Sequence, residues 1–227
     1  MTLYVLDCET TGPDPWTDVP VSAALVRVAP GREPELVYSR RCNPGRPIPA
    51  EATAIHGITD VDVAQAMTWP ALARVLHRAL GDASALGAYA ATFDVTILWR
   101  TWRELGLEVR PLPVLCGLVW ARKLGAGKPK GEPGRFKLAS VCEVLGIPLE
   151  DAHAADADAL ATARVLRVLR DRLPDEARRD LGRWTYRAGV ASDVWFSGRN
   201  GEPPIAEEAT AWARMFALTR SEASHAA

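Results

Sequence analysis

The sequence predicts one α/β domain in which helices cover a mixed β-sheet, and three observations lead to this prediction. The chain of 227 residues with 48% hydrophobic residues can build one substantial core and is too short for two ordinary domains. Short apolar runs typical of strands fill most of residues 3–42. Helical periodicity then alternates with further strand-like runs, which is the order found in α/β layer folds.

Five strands are expected. Leu3–Leu6 is almost wholly apolar, as a central strand covered on both faces would be. Val19–Val28 and Glu35–Cys42 are rich in Val, Leu and Tyr, and a Pro-Gly turn separates them. Ala85–Tyr89 and the beginning of Val114–Leu124 supply the fourth and fifth strands.

Helical periodicity and its stop signals place the helices. They are expected over Trp69–Leu80 with Pro70 at the first position, from an N-cap at Thr92 to Leu105, at the end of Val114–Leu124, over Lys137–Leu145, and over Ala152–Leu173. Because the pattern loses its regularity at Pro174, we expect a domain over 1–174 and a mostly helical C-terminal extension over 175–227.

Composition excludes several classes of protein. The eight tryptophans and 24% charged residues argue against disorder, and no apolar run approaches the roughly 20 residues that span a bilayer. The N-terminus lacks a basic region and meets Asp7 early, so no signal peptide and no membrane partner are expected. The four cysteines form no CxxC pair, which favours reduced thiols and a cytoplasmic location.

Two acids close the first strand and a third heads a helix. With a period of two, Asp7 and Glu9 share one face of the strand, where their charges repel unless a cation lies between them; the alternative is a strand end fraying into solvent. Asp94 heads the apolar stripe of its helix, whereas an acid that only complements the helix dipole would lie on the polar face.

The start of the long helix carries a fourth acid and a histidine. From Asp158 the helix face continues through apolar residues, whereas from Asp156 it becomes charged, so Asp158 is predicted to be the buried acid. For His153 to serve the same site it must lie at or before the first turn, and Asp151 is the N-cap expected for that arrangement. A surface histidine is the alternative. Four carboxylates and one base are what two-metal phosphodiester hydrolysis requires.

The same residues resemble the motifs of a known family. Asp7-Cys8-Glu9-Thr10-Thr11-Gly12, Phe93-Asp94 and His153-x-Ala155-x-x-Asp158 are similar, in order and spacing, to the three motifs of the DEDDh (DnaQ-like) 3′→5′ exonucleases, the family that includes the proofreading ε subunit of bacterial replicative polymerase. The resemblance covers roughly residues 1–170 and implies an RNase H-like fold with a mixed five-stranded sheet.

The resemblance also implies roles for individual residues. It makes Asp7, Glu9, Asp94 and Asp158 the ligands of two divalent cations, Mg²⁺ or Mn²⁺, and makes His153 the residue that activates water. On the substrate side it implies that Thr10 and Thr11 contact the terminal nucleotide through their backbone. It also implies that the segment with Ile55 and His56 lies against the terminal base, and that residues of the second motif contact the substrate. The remaining substrate-binding candidates are accordingly Ile55, His56, Tyr89 and Phe93.

The second motif departs from the family pattern. The family has His-Asn where this chain has Tyr89-Ala90, so the tyrosine can still stack or donate a hydrogen bond but the Asn amide is lost. This change bears on substrate positioning rather than on metal binding, and activity is expected to be reduced or retuned. A basic stretch over residues 122–137 is either a phosphate-contacting loop or a solvated surface loop.

The implied function is 3′→5′ hydrolysis of single-stranded or frayed DNA ends, in proofreading, repair or end trimming. Two alternatives remain open: RNA as the substrate, or a weakly active accessory that binds a DNA polymerase subunit through the extension. The extension either packs on the first domain or presents its aromatic residues to a polymerase or to a nucleic-acid strand. A net charge of −1 alone disfavours a nucleic-acid partner, but two bound divalent cations would change it to about +3 at the phosphate site.

Overall fold

The computed structural model describes residues 2–109, 112–173 and 186–187. The elements are β1 (Leu3–Thr10), β2 (Pro20–Val28), β3 (Glu35–Arg41), α1 (Ala50–His56), α2 (Asp60–Val63), α3 (Trp69–Ala79), β4 (Ala85–Ala88), α4 (Ala91–Glu104), β5 (Pro113–Cys116), α5 (Gly117–Lys123), α6 (Leu138–Leu145), α7 (Ala155–Arg172) and β6 (Tyr186–Arg187). The predicted α/β class is confirmed.

All strands belong to one mixed sheet, in the order β3-β2-β1-β4-β5-β6. The strand β1 pairs antiparallel with β2 and parallel with β4, while β3 and β5 extend the sheet on either side. The five predicted strands are therefore present. The two-residue β6 pairs antiparallel with β5.

Residues 186–187 form a strand, whereas the sequence predicted a mostly helical extension over 175–227. Their backbone pairs with the edge of β5, with Val114 opposite Tyr186, and this ladder replaces a helical turn. The rest of the extension lies outside the described residues, so the boundary at 174, the helical content of the extension and its packing stay predictions.

Helices cover both faces of the sheet, which explains the nearly continuous apolar run of β1. On one face α3 and α4 bury side chains such as Trp69 and Leu98 against Leu6. On the other face α7, with α5 and α6, buries Leu166 against Val5. Alternate residues of β1 thus point to opposite layers.

Two predicted caps are wrong. The helix α4 begins at Ala91 with Ala90 as its N-cap residue, because the Phe93 N–H donates to the Ala90 carbonyl at 2.8 Å and closes the first turn before Thr92 could cap it. The helix α7 begins at Ala155, not Ala152. A turn closed by the Ala154 N–H and the Asp151 carbonyl (3.2 Å) precedes it, so Asp151 is not its N-cap.

Other differences concern length. The strand β1 continues to Thr10, so the acidic pair lies within the strand and not beyond its end. The short helices α1 and α2 have no counterpart among the predicted elements. None of the four cysteines, all within the described residues, forms a disulfide. Among the described helices, none has the length and apolarity needed to cross a membrane.

Candidate active site

The four acids singled out in the sequence converge at the carboxyl end of β1. Asp7 and Glu9 continue the face of the strand that includes Val5, which is the face that α7 covers. Asp158 lies in the first turn of α7 and Asp94 in the first turn of α4, so one acid approaches β1 from each helical layer.

Asp94 joins the start of α4 to β1. Its side chain is buried, and Oδ1 accepts a hydrogen bond from the Cys8 N–H at 3.0 Å. The apolar stripe that it heads is buried as predicted, with Ile97, Leu98 and Trp102 inside the core. This hydrogen bond satisfies one oxygen of the buried carboxylate and ties the start of α4 to β1.

Asp158 is held by the turn that precedes its own helix. Its Oδ2 accepts a hydrogen bond from the His153 N–H at 3.2 Å, while Oδ1 is buried with no hydrogen-bond partner among the described residues. The helix face that follows Asp158 is buried, as the sequence predicted, from Thr162 to Leu169.

His153 lies outside the helix with an exposed side chain. Its φ of 68° falls in the left-handed region, which residues other than glycine seldom adopt. This backbone conformation turns His153 away from the axis of α7. The sequence predicted such a placement for a histidine that serves the same site as Asp158. A ring nitrogen of His153 and carboxylate oxygens of Glu9 and Asp158 all lie within 4.8 Å of one another.

Burial raises the pKa of each of the four carboxyl groups, and repulsion within the cluster raises it further for Asp7, Glu9 and Asp94. Burial is the largest cause throughout, and it raises the pKa of Glu9 to about 8 and that of Asp94 to about 7. The pKa of Asp7 is raised well above its ordinary value by burial and by the charges of the other three acids. Burial also raises the pKa of Asp158, against the lowering effect of the His153 N–H. The cluster thus favours protons or another source of positive charge.

The donor set fits a divalent cation. The carboxylates supply several oxygen ligands in a small volume, and Asp158 has a buried oxygen that no protein group satisfies. Oxygen ligands of this kind suit Mg²⁺ and Mn²⁺, and a bound cation would lower the pKa of every acid in the cluster. Glu9 and Asp158, with His153 beside them, form one group of residues that could hold an ion.

The residues expected on the substrate side surround this cluster. His56 Nδ1 accepts the Ile58 N–H at 3.0 Å, so in a neutral ring Nε2 carries the proton and donates to the Thr10 carbonyl at 3.3 Å. Burial is the main cause that lowers the pKa of His56, and His153 lowers it further. The Thr11 N–H donates to Val19 at 3.0 Å, so a contact between Thr11 and a nucleotide would use its carbonyl.

Ile55 and the second motif differ in how far they are exposed. The Ile55 side chain is 59% exposed at the end of α1, an unusual exposure for isoleucine that leaves it open to contact. Phe93 is half-buried against the core, and Tyr89 is buried, with its hydroxyl donating to the Phe136 carbonyl at 2.6 Å.

An open cleft of about 630 Å³ begins at His153 and Asp158. Its walls are Tyr89, Ala90, Leu118, Arg122, Gly134, Arg135, Phe136, Lys137, Leu138, Ala139, Leu149 and Ala152. The basic stretch noted in the sequence therefore contributes three cations to a surface beside the acids. This arrangement is what a polyanionic chain entering the site would need.

Sequence reasoning missed two connections around the site. One is the hydrogen bond from Tyr89 to Phe136. The other fixes the loop after Thr11, where the Asp18 carboxylate accepts from the Thr11 hydroxyl at 2.8 Å and the Arg100 guanidinium donates to the Asp18 carbonyl at 2.9 Å. The Tyr89–Phe136 and Arg100–Asp18 hydrogen bonds join residues far apart in the chain, so no local pattern could have shown them.

Comparison with known proteins identifies relatives of most of the described region. The sequence model of a family described as "Exonuclease" matches residues 4–166. A "DNA polymerase III subunit epsilon-like protein" of Rhodobacter capsulatus is 36% identical over 174 residues, which is 74% of this chain and 24% of that protein. An "Uncharacterized exonuclease CP81" of Escherichia phage 186 is 34% identical over 140 residues, covering 56% of this chain and 69% of the phage protein. The chain thus spans about a quarter of the Rhodobacter relative's length.

Solved structures show the same fold. Exonuclease I of E. coli in complex with a dT13 oligonucleotide superposes with a TM-score of 0.64 at 22% identity, over 80% of this chain and 42% of exonuclease I. The complex with a dA16 oligonucleotide gives a TM-score of 0.68 at the same identity, over 80% and 43% of the two chains. The predicted RNase H-like fold is confirmed.

Proposed function

Because this chain belongs to the DnaQ-like exonuclease family, we propose that it removes nucleoside monophosphates from the 3′ ends of DNA by hydrolysing phosphodiester bonds. The observation that carries the proposal is the convergence of Asp7, Glu9, Asp94 and Asp158 beside an exposed His153. A cluster of acids that raises its own pKa is costly to the fold, and a cation-dependent reaction gives a reason for it.

In this proposal the four acids hold two divalent cations, Mg²⁺ or Mn²⁺. When bound, these cations supply the positive charge that stabilises the pentacovalent phosphorus and the leaving oxygen. The protein positions the ligands from three elements. Glu9 and Asp7 are fixed by the ladder of β1, Asp94 by the Cys8 N–H, and Asp158 by the His153 N–H.

His153 is the general base of the proposed reaction. Its ring is exposed next to the acids, so it can take a proton from the water that attacks phosphorus. The new bond joins the water oxygen to phosphorus while His153 takes the water proton. The bond to the 3′ oxygen of the preceding nucleotide breaks, and that oxygen takes a proton from solvent and leaves as a hydroxyl. The hydrogen bond from the His153 N–H to Asp158 fixes the base relative to a ligand.

The proposed terminal-nucleotide site lies between Thr10, Thr11, Ile55, His56 and Phe93, with Tyr89 at the cleft. The hydrogen bond between His56 and the Thr10 carbonyl fixes the end of α1 against the end of β1. Such a preformed wall lowers the ordering cost of binding a nucleotide. His56 thus acts on the substrate side in this proposal and not as a second base.

In this proposal the protein acts in DNA replication or repair in the cytoplasm, with a polymerase subunit as a partner. Relatives named after DNA polymerase III support the link to a polymerase. The structural neighbours that hold dT13 and dA16 oligonucleotides favour single-stranded DNA as the substrate.

The experiment incubates the purified protein with 5′-labelled single-stranded DNA, mismatched primer–template or single-stranded RNA in Mg²⁺ or Mn²⁺. We expect a stepwise ladder on DNA that disappears with a chelator. His153→Ala should lower kcat by about 10²–10⁴-fold because the general base is lost.

A neighbouring acid of the same helix supplies the control. Asp158→Asn should abolish the ladder, whereas Asp156→Asn, which leaves the cluster intact, should retain it. A ladder on RNA alone would replace DNA by RNA as the substrate. Absence of a ladder on every substrate would contradict the proposal and favour the accessory.

A further inference from the structure

Tyr89 connects the second motif to a segment almost fifty residues away in the sequence. Its hydroxyl donates to the Phe136 carbonyl at 2.6 Å, and its ring packs against Gly117, where an added Cβ would lie 3.0 Å from the ring. Burial raises the pKa of the Tyr89 hydroxyl, so it stays protonated and can donate. The backbone of Tyr89 is fixed as well, since its carbonyl accepts the Leu118 N–H at 2.8 Å.

The segment that Tyr89 holds is the end of the basic loop, defined here as residues 125–137. The loop folds back on itself, with the Lys128 N–H donating to the Arg135 carbonyl at 3.1 Å. An added Cβ at Gly127 would lie 2.6 Å from the Phe136 ring, so the two sides of the loop are in close contact. Lys128 also pairs with Glu143 of α6 at 2.8 Å.

The two residues on either side of Phe136 are cations that line the cleft. The Arg135 guanidinium lies over the Phe136 ring, 4.8 Å from its centroid, and its Nε is buried with no hydrogen-bond partner among the described residues. Lys137 is the N-cap residue of α6. Both line the cleft that begins at His153 and Asp158.

We propose that Tyr89 is a positioning residue whose hydroxyl holds Arg135 and Lys137 beside the acids, so that these cations bind the phosphates of the substrate strand behind its terminal nucleotide. The inference rests on the proposed function and deepens it. It also gives a role to the departure at this position, because the tyrosine hydroxyl fastens the loop across the cleft.

The experiment compares two substrates in the full-length protein. One is an oligothymidylate that reaches the loop, and the other is the p-nitrophenyl ester of thymidine 5′-monophosphate, which has no phosphate behind the scissile bond. In Tyr89→Phe, the ratio of kcat/KM for the oligonucleotide to kcat/KM for the ester should fall about five-fold, which is the effect of losing one hydrogen bond. The fall should come from a higher KM for the oligonucleotide.

Two further readouts separate positioning from a general loss of structure. The slope of log KM for the oligonucleotide against log salt concentration should decrease in Tyr89→Phe, because fewer phosphates are neutralised. Arg135→Gln combined with Lys137→Gln should lower the same ratio. Adding Tyr89→Phe to that double variant should then have no further effect, since the residues act as one unit.

Tyr4→Phe is the matched control, because it also removes one hydroxyl hydrogen bond, to Asp82 at 3.0 Å, at the other end of β1. It should leave the ratio unchanged. An unchanged ratio in Tyr89→Phe, or effects of Tyr89 and the two cations that add independently, would overturn the inference. Failure of the wild-type protein to cleave either substrate would instead contradict the proposed function.

Discussion

At the scale of single residues, the site is an assembly of groups that destabilise one another. Glu9 is almost fully buried on a central strand, yet the charges of Asp158 and Asp94 act on it from both neighbouring layers. An apolar side chain at this position would stabilise the sheet better than a carboxylate does. This loss of stability is understandable if the carboxylates have a function in the reaction.

Glu9→Gln should stabilise the protein in a chelator at alkaline pH. The folded-state pKa of about 8 exceeds the ordinary 4.5, so the folded state binds this proton more tightly and stability is lost as pH rises between these values. Glutamine keeps the shape without the charge. At pH 8 the variant should gain up to about 4 kcal/mol in the free energy of unfolding, measured with denaturant.

At pH 4 the same variant and the wild-type protein should have equal stability, since Glu9 is then protonated in both states. A gain that is the same at both pH values would show that the charge is not its cause. Mg²⁺ should also no longer raise the free energy of unfolding of the variant.

The sequence could identify these residues because acids are unusual on the apolar face of a helix. Asp94 heads an apolar stripe and Asp158 begins an apolar helix face, and both faces are buried in the structure. His153 was placed outside the helix for the same geometric reason. Its positive φ and the length of the turn before it could not be predicted, because they depend on how the turn closes on Asp151.

At the scale of elements, α7 determines whether the site exists. It lies across β1 and β2, and its start carries Asp158. Leu166, two helical turns later, is 2% exposed and approaches the sheet so closely that an added Cβ at Gly87 would lie 2.9 Å from its Cδ1. The packing of this helix therefore sets the position of a proposed metal ligand.

Leu166→Ala should lower the free energy of unfolding by about 2–5 kcal/mol, because it leaves a cavity between α7 and β4. Denaturant unfolding followed by circular dichroism measures the loss. Val61→Ala, at a side chain 88% exposed, is the control and should change stability by less than about 0.5 kcal/mol. A loss in Leu166→Ala no larger than in the control would mean that the helix is not closely packed.

Long periodic elements were predictable and short ones were not. The helices α3, α4 and α7 bury a stripe over several turns, so their patterns are repeated enough to recognise. The helices α1 and α2 have only 7 and 4 residues, and their small core with Val21 and Ile48 comes from tertiary contact. The caps at Thr92 and Asp151 failed because backbone turns closed the helix starts first.

At the scale of the whole molecule, stability should depend on pH and divalent cations together. The four raised pKa values mean that these carboxyl groups bind more protons in the folded protein than in the unfolded chain between about pH 4 and pH 8, against the smaller opposite effect of His56, whose pKa is lowered. In a chelator the melting temperature should therefore fall as pH rises through this range. Cations that replace the protons should reverse the fall.

We expect Mg²⁺ at about 100 times its Kd to stabilise the protein by about 2.7 kcal/mol at pH 8 and by far less at pH 5. Thermal unfolding at both pH values, with and without Mg²⁺, measures the difference. Asp94→Asn combined with Asp158→Asn should remove most of it. An equal increment at the two pH values would indicate a cation site elsewhere on the protein.

The order of the sheet has a consequence for synthesis of the chain on the ribosome. The first two acids are made within the opening strand, whereas Asp158 and His153 follow some 150 residues later and reach that strand only when α7 covers it. A partly synthesised chain can pair β1 with β2 and β4 but lacks both the last acid and the base. On the proposed assignment a nascent chain is harmless to nucleic acids, and hydrolysis begins only when the core has closed.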